Sequence, residues 1–179
     1  TLLETVNGIL DISKIEADAL NIYKNNISLK KLIEELYDLF TPISQNKNIE
    51  FINNFQIIND NIFTDEQRTK QIIKNLVSNA IKFTNEGKVE ILSKEFDEYY
   101  EISIIDSGIG IAENNLNYIF DRFKQVDSMG KKHQGTGLGL AISKHLASLL
   151  NGYICVTSEM GVGSIFRYVI YKKSIDRKK

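Results

Sequence analysis

The sequence predicts an α+β fold: a two-layer sandwich with several helices on one face of a mixed, mostly antiparallel sheet. Three observations lead there. Apolar residues recur at three- and four-residue steps through several long stretches, which is the period of an amphipathic helix. Shorter stretches are rich in Ile, Val, Phe and Tyr and lie between turn-forming residues, as strands do. Along the chain these helical stretches are interspersed with strands, two of them spaced as a hairpin.

The first helix carries Leu2, Val6, Ile9 and Ser13, with Leu3 and Leu10 beside them, at alternating steps of four and three. Two heptads fall short of the three or four that define a coiled coil, so a helix packed on its own domain and a truncated dimer seam both fit. Residues 28–40 give a second helix, apolar at 29, 32, 33, 36, 39 and 40, with Ser28 as N-cap. Lys31 stands where a capping box needs Glu or Gln, and Pro42 is expected to end or kink the helix. Ile49–Ile52 and Ile62–Phe63 read as short strands around a polar turn. A strong helix follows from Asp65 to about Phe83, with Thr64 and Gln67 spaced as a capping box and Ile72, Ile73, Leu76, Val77, Ala80 and Ile81 as its apolar face. Val89–Leu92 and Tyr100–Ile105 form a hairpin whose second strand runs into Asp106. Leu138–Leu150 is helical and stops at Asn151-Gly152. Strands at 153–157 and 164–171 flank Gly161-Val-Gly163, and the tail from Lys172 reads as disordered.

Composition narrows the function classes. With 22 basic and 23 acidic residues, the net charge of −1 gives no overall pull toward nucleic acid or a membrane surface. Cys155 is the single cysteine, so no internal disulfide can form, which suits a reducing compartment. No apolar run reaches transmembrane length. The chain opens on Thr1 within a helical pattern, as a fragment of a longer protein would.

Two glycine clusters dominate the chemistry. Asp106-Ser-Gly108-Ile-Gly110 follows a strand directly, and a strand-end carboxylate can accept a hydrogen bond from an exocyclic amine while Ile111 packs on a purine. An ordinary strand-to-helix turn fits the same residues. The second cluster, Gly135-Thr136-Gly137-Leu138-Gly139-Leu140, opens a helix, and backbone N–H groups bared by glycine at a helix start favour phosphate. It is no dinucleotide fingerprint, because the sixth position from Gly135 is Leu140, and no Gly-Lys-Ser/Thr follows as a Walker loop requires. Gln71, Asn75, Asn79 and Lys82 form a polar stripe opposite the apolar face of their helix. An Asn carbonyl is a hard oxygen that suits Mg²⁺, and Lys82 can neutralise phosphate. A solvated helix face is the plainer account of that stripe. Between the clusters, Phe120 and Phe123 are placed to anchor a movable cover, although core packing is the commoner explanation of such a pair.

Four segments then occur in a telling order: Asn75–Thr84, Asp106–Ile111, Ile119–Asp127 and Gly135–Ile142. They resemble the N, G1, F and G2 boxes of the ATP-binding catalytic domain of sensor histidine kinases, a Bergerat or GHKL-type fold. Ile12–Ala17 resembles the end of the preceding dimerisation hairpin, and Gly161–Phe166 the family's final glycine turn. The resemblance implies a hairpin end over residues 1–20, a catalytic domain over 21–173 and a disordered tail over 174–179. It implies ATP and Mg²⁺ as cofactors, with Asn79 as metal ligand supported by Asn75. Lys82 would contact phosphate and Phe83 line the pocket. Asp106 would read the adenine amine, with Gly108, Gly110 and Ile111 shaping the base pocket. Phe120 and Phe123 would control the lid, Lys131 or Lys132 would assist there, and Gly135, Thr136, Gly137, Leu138, Gly139 and Leu140 would hold the phosphates.

The resemblance further implies a homodimer through the chain's own hairpin, a response regulator downstream, no nucleic acid, no membrane contact by this stretch, and a cytoplasmic placement. Two departures stand out. Gln125 falls where some members carry an arginine, and Gln134 replaces a common glycine. The phosphoacceptor His belongs to the first helix of the hairpin, and neither His133 nor His145 matches its motif. The same pocket serves hydrolytic relatives, in which a Glu one turn before the Asn ligand orients water. Here that position is Asn75, whose amide cannot take a proton, so the expected chemistry is phosphoryl transfer to a His rather than hydrolysis. A degenerate nucleotide-binding signalling module is the remaining alternative.

Overall fold

A computed structural model of the chain describes residues 2–17, 19–124 and 136–173. Helix α1 (Leu2–Glu16) is followed by β1 (Asn25–Ser28), α2 (Leu29–Asn46), β2 (Ile49–Phe55), β3 (Asn61–Thr64) and α3 (Glu66–Phe83). Then come the hairpin β4 (Gly87–Glu95) and β5 (Tyr99–Asp106), the short α4 (Glu113–Leu116), α5 (Gly139–Leu149), β6 (Gly152–Glu159) and β7 (Gly163–Tyr171). Five strands form one sheet in the order β2-β4-β5-β7-β6, antiparallel throughout except for the parallel β2–β4 pair. The α+β sandwich with a mixed, mostly antiparallel sheet is therefore the observed architecture.

The core lies between this sheet and α2, α3 and α5. The anticipated apolar face of α3 is buried throughout: Ile72, Ile73 and Val77 are fully enclosed, and Leu76, Ala80 and Ile81 nearly so. Fully burying one such large aliphatic side chain is worth about 1.5–3 kcal/mol. Several together outweigh the modest propensity penalty of β-branched residues in a helix. Opposite them, Val89, Ile91, Ile102, Ile104, Phe166 and Tyr168 point inward at alternate positions. The register pairs Ile91 with Ile104 and Ile104 with Phe166 across three strands.

Two local expectations are corrected, and the strand pairing adds what the sequence left open. Helix α2 runs through Pro42 to Asn46 rather than ending there. Phe40 and Ser44, on either side of Pro42, are both buried, so packing holds the helix across the missing hydrogen bond. The α3 cap is Asp65, not Thr64: Asp65 accepts from Arg68 N at 3.0 Å and from Tyr23 N at 2.7 Å. Thr64 instead ends β3 with its hydroxyl buried 3.2 Å from that of Thr69. The strands around the polar turn do not pair with each other. Strand β3 pairs with β1, which the sequence did not announce, and β2 joins the main sheet beside β4. Ser28 caps α2 as expected, accepting from Lys31 N at 3.2 Å.

Candidate functional site

Strand β5 alternates its side chains, so Asp106 takes the inward place that follows Ile102 and Ile104. Asp106 is only 8% exposed. Oδ1 accepts from Gly108 N at 2.9 Å, and Ser164, its cross-strand neighbour on β7, supplies further hydrogen bonds. Burial is the larger influence and pushes the carboxyl above the usual aspartate range, against the lowering effect of those bonds. Ser164 carried no signal in the sequence, since only register brings it to Asp106.

The loop after Asp106 is clamped from two sides. Ile109 N donates to Phe83 O at the end of α3 at 3.2 Å. A Cβ on Gly108 would stand 2.5 Å from that same carbonyl, so backbone meets backbone there. On the other side, Gly161 N donates to Ile109 O at 2.8 Å and Ile111 N to Ser158 Oγ at 2.8 Å. Gly110, at φ +70°, faces the carbonyl of Glu159. Its glycine thus answers to the β6–β7 turn as well as to any ligand. Ile111 is partly buried against the core.

The polar stripe of α3 divides by partner. Gln71 takes its partner from α1: its amide donates to Asp11 Oδ2 at 2.8 Å, beside the Arg68–Asp11 ion pair at 3.4 Å. Asn75 crosses to α5, donating to Ser143 Oγ at 3.0 Å. Its Oδ1 lies 2.3 Å from where a Cβ on Gly139 would be. Asn79 is half-buried, and its amide makes no hydrogen bond among the described residues. Lys82 holds its ammonium 4.7 Å from the centre of the Phe83 ring, and burial lowers its pKa. One helix therefore touches both glycine clusters, the second through Asn75 and the first through Phe83, with Asn79 one turn from each.

At the second cluster, α5 starts at Gly139 without a side-chain cap on its first turn. Leu138 is buried, with its N–H 3.3 Å from Thr136 Oγ1, and Leu140 packs against the core. Gly137 lies at φ +70°, and its carbonyl accepts from Phe123 N at 3.1 Å. The two aromatics part company. Phe120 packs on the core with Lys144 Nζ 5.0 Å from its ring, whereas Phe123, at φ 60°, is 67% exposed. Lys131, Lys132 and Gly135, with Gln125, His133 and Gln134, lie outside the described residues, as does the tail from 174. No group of three acidic, His or Cys side chains suited to a metal occurs among the described residues, and no described helix is long and apolar enough to cross a membrane.

A buried strand-end acid, a bare helix start and a helix that touches both define a nucleotide-binding α+β sandwich. The chain belongs to the histidine kinase-, DNA gyrase B- and HSP90-like ATPase family, whose model matches residues 64–174. Among its relatives is hybrid signal transduction histidine kinase B of Dictyostelium discoideum, 41% identical over 94% of this chain and 9% of that protein. Another is the autoinducer 2 sensor kinase/phosphatase LuxQ of Vibrio vulnificus, 38% identical over 92% of this chain and 20% of that protein. The chain thus spans about a tenth to a fifth of these relatives. Among solved structures, full-length ShkA in complex with AMPPNP superposes with TM-score 0.86 at 29% identity, over 97% of this chain and 37% of that one. The catalytic domain of histidine kinase ThkA superposes with TM-score 0.74 at 30% identity, over 84% of this chain and 98% of that one. ThkA in complex with response regulator protein TrrA matches with TM-score 0.76 at 26% identity, over 98% of this chain and 50% of that one.

Proposed function

We propose that this chain binds Mg²⁺-ATP and transfers its γ-phosphoryl group to a histidine on a dimerisation hairpin, of which α1 is the final stretch. The observation that carries this reading is α3 itself. Its contacts with the two glycine clusters are eight residues apart, roughly 12 Å along the helix axis. That span suits a nucleotide with its purine at Asp106 and its phosphates at the start of α5. Asn79, between the two contacts, then offers an amide oxygen to a magnesium ion carried in on the triphosphate, a hard-ligand role for which one protein donor suffices. Lys82 lies one turn further along α3, toward the Asp106–Ile111 loop, and supplies positive charge. Held by Asn79, the metal would supply charge neutralisation for the phosphates, while the chain's own groups position the nucleotide.

Hydrolysis is the weaker reading. The residue one turn before Asn79 is an amide already engaged with Ser143, so no carboxylate stands ready there to orient a water. ThkA has been solved with a response regulator, and a receiver domain of that kind is the proposed next acceptor here. The test is phosphotransfer from radiolabelled ATP to a separately supplied hairpin bearing a histidine and an acidic neighbour. Asn79→Ala removes the metal's amide oxygen from a half-exposed helix position and favours the helix. We expect the transfer rate to fall at least about tenfold, the equivalent of ~1.4 kcal/mol, with the fold intact. Steady phosphate release into water, without labelling of the hairpin, would replace this reading with that of an ATPase.

A further inference from the structure

We infer that Lys47 is a positioning residue for nucleotide binding: it locks the end of α3 against the loop that follows Asp106. The inference rests on the function proposed above but concerns a residue on α2's terminus, in a part of the chain without any glycine cluster. Lys47 is the residue that follows α2, and it is half-buried. Its ammonium reaches across to the neighbouring helix and donates to Ile81 O at 2.6 Å, Thr84 O at 2.9 Å and Lys82 O at 3.3 Å.

The last carbonyls of a helix have no partners within it, and a cation there also opposes the negative end of the helix dipole. At the end of α3 every one is satisfied. Ala80 O accepts from both Thr84 N at 3.0 Å and Thr84 Oγ1 at 2.7 Å. Phe83 O accepts from Ile109 N. Lys47 takes the other three. Ile81 and Thr84 are buried, so water is a poor substitute at those carbonyls. Lys47 leaves the end of α2, and its ammonium sits at the negative end of the α3 dipole.

The consequence reaches the site because Phe83 O is held by the same turn. Its bond to Ile109 N and its close contact with Gly108 set the height of the loop beneath the purine. Lys82 leaves the same turn. Without Lys47, three carbonyls seek new donors, the last turn of α3 frays, and both the purine floor and Lys82 lose their fixed positions. Binding should suffer more than the chemical step, because Asn75, Asn79 and α5 keep their places and the Lys82 charge acts on the phosphates in the bound ground state as well as during transfer.

The experiment compares wild type with Lys47→Met, Lys47→Gln and Lys47→Arg. It measures affinity for a fluorescent ATP analogue with Mg²⁺, phosphotransfer at saturating ATP, melting temperature, and exchange of the Ile109 amide. In Lys47→Met and Lys47→Gln we expect the dissociation constant to rise about tenfold. The rate at saturating ATP should change no more than about threefold, and Ile109 exchange should accelerate. Lys47→Arg, with its own set of donors, should restore affinity to within about threefold. A folded Met or Gln variant with wild-type affinity and wild-type Ile109 exchange would overturn the inference, as would a fall in melting temperature alone. If Lys47→Met fails to fold, the Gln and Arg pair decides the matter. Failure of the wild-type chain to bind the analogue would sink the proposed function instead, and Ile109 exchange would still report on Lys47.

Discussion

Gly110→Ala is expected to raise the dissociation constant for ATP at least about a hundredfold and to lower the melting temperature by several degrees. Two separate costs act at this position. An alanine at φ +70° carries a left-handed strain of about 1–2 kcal/mol. Its Cβ would also stand 1.9 Å from the carbonyl oxygen of Glu159, a backbone atom that cannot rotate aside. The β6–β7 turn and the Asp106–Ile111 loop must therefore separate. That puts at risk the bonds from Gly161 N to Ile109 O and from Ile111 N to Ser158 Oγ, each worth about 1 kcal/mol net. Together these amount to roughly 3–4 kcal/mol, a large share of a typical domain's stability of about 5–15 kcal/mol. Gly161→Ala is the internal control. It has the same sign of φ, at +78°, but no atom within 4 Å of the added methyl, so it should cost only the strain and leave ATP affinity nearly unchanged. Thermal melts with and without Mg²⁺-ATP separate the two variants, and equal effects would show that the clamp on the loop is unimportant.

The sequence was most readable where one signal recurs along one element. The face of α3 from Ile72 to Ile81 repeats often enough that its period alone orients the helix. Asp106 could be found because an apolar strand runs straight into it, and alternation then puts its carboxylate on the covered face. Long-range pairings were the unreadable part. Strand β1 is the polar run Asn25–Ser28 with a single buried side chain, Ile27, and it exists because β3 lies alongside. Gln71 has the spacing of a site residue, yet its partner Asp11 comes from α1, sixty residues earlier. Spacing on a helix fixes which residues share a stripe, but not how many partners that stripe meets. Lys47 and Ser164 illustrate the same limit from the other side. Each is ordinary in its local context and gains its role from a neighbour more than thirty positions away. The capping error at Thr64 has a local cause: a strand and a helix abut there, and the last strand residue turned its hydroxyl into the core.

Asp106→Asn should weaken ATP binding roughly a hundredfold by a different route, with the apo protein still folded at neutral pH. Oδ1 already accepts from Gly108 N, and an asparagine can keep that bond, although it has one acceptor oxygen fewer for the bonds from Ser164. Its other terminus becomes an NH₂, a donor facing the exocyclic amine that the carboxylate is proposed to receive. Losing a charge-assisted hydrogen bond and gaining a donor–donor clash removes about 3 kcal/mol, or roughly a hundredfold in affinity. The pH dependence follows from the burial of Asp106, which holds its carboxyl above the ordinary range. The folded state therefore grips this proton more tightly than the unfolded chain does. Its contribution to stability is fully present below the unfolded pKa and is lost as pH rises through the folded one. At neutral pH the ionised group is thus a net cost to the empty fold, and the neutral amide trades that cost against the bonds from Ser164. ATP binding runs in the opposite sense, since the amine needs the carboxylate as acceptor. Wild-type affinity should weaken on acidification, beginning at a higher pH than an ordinary aspartate would give. Calorimetric titrations and melts across the acidic-to-neutral range read both trends. A variant that binds ATP as tightly as wild type, or a wild-type affinity indifferent to pH until the usual aspartate range, would place the purine somewhere other than against Asp106.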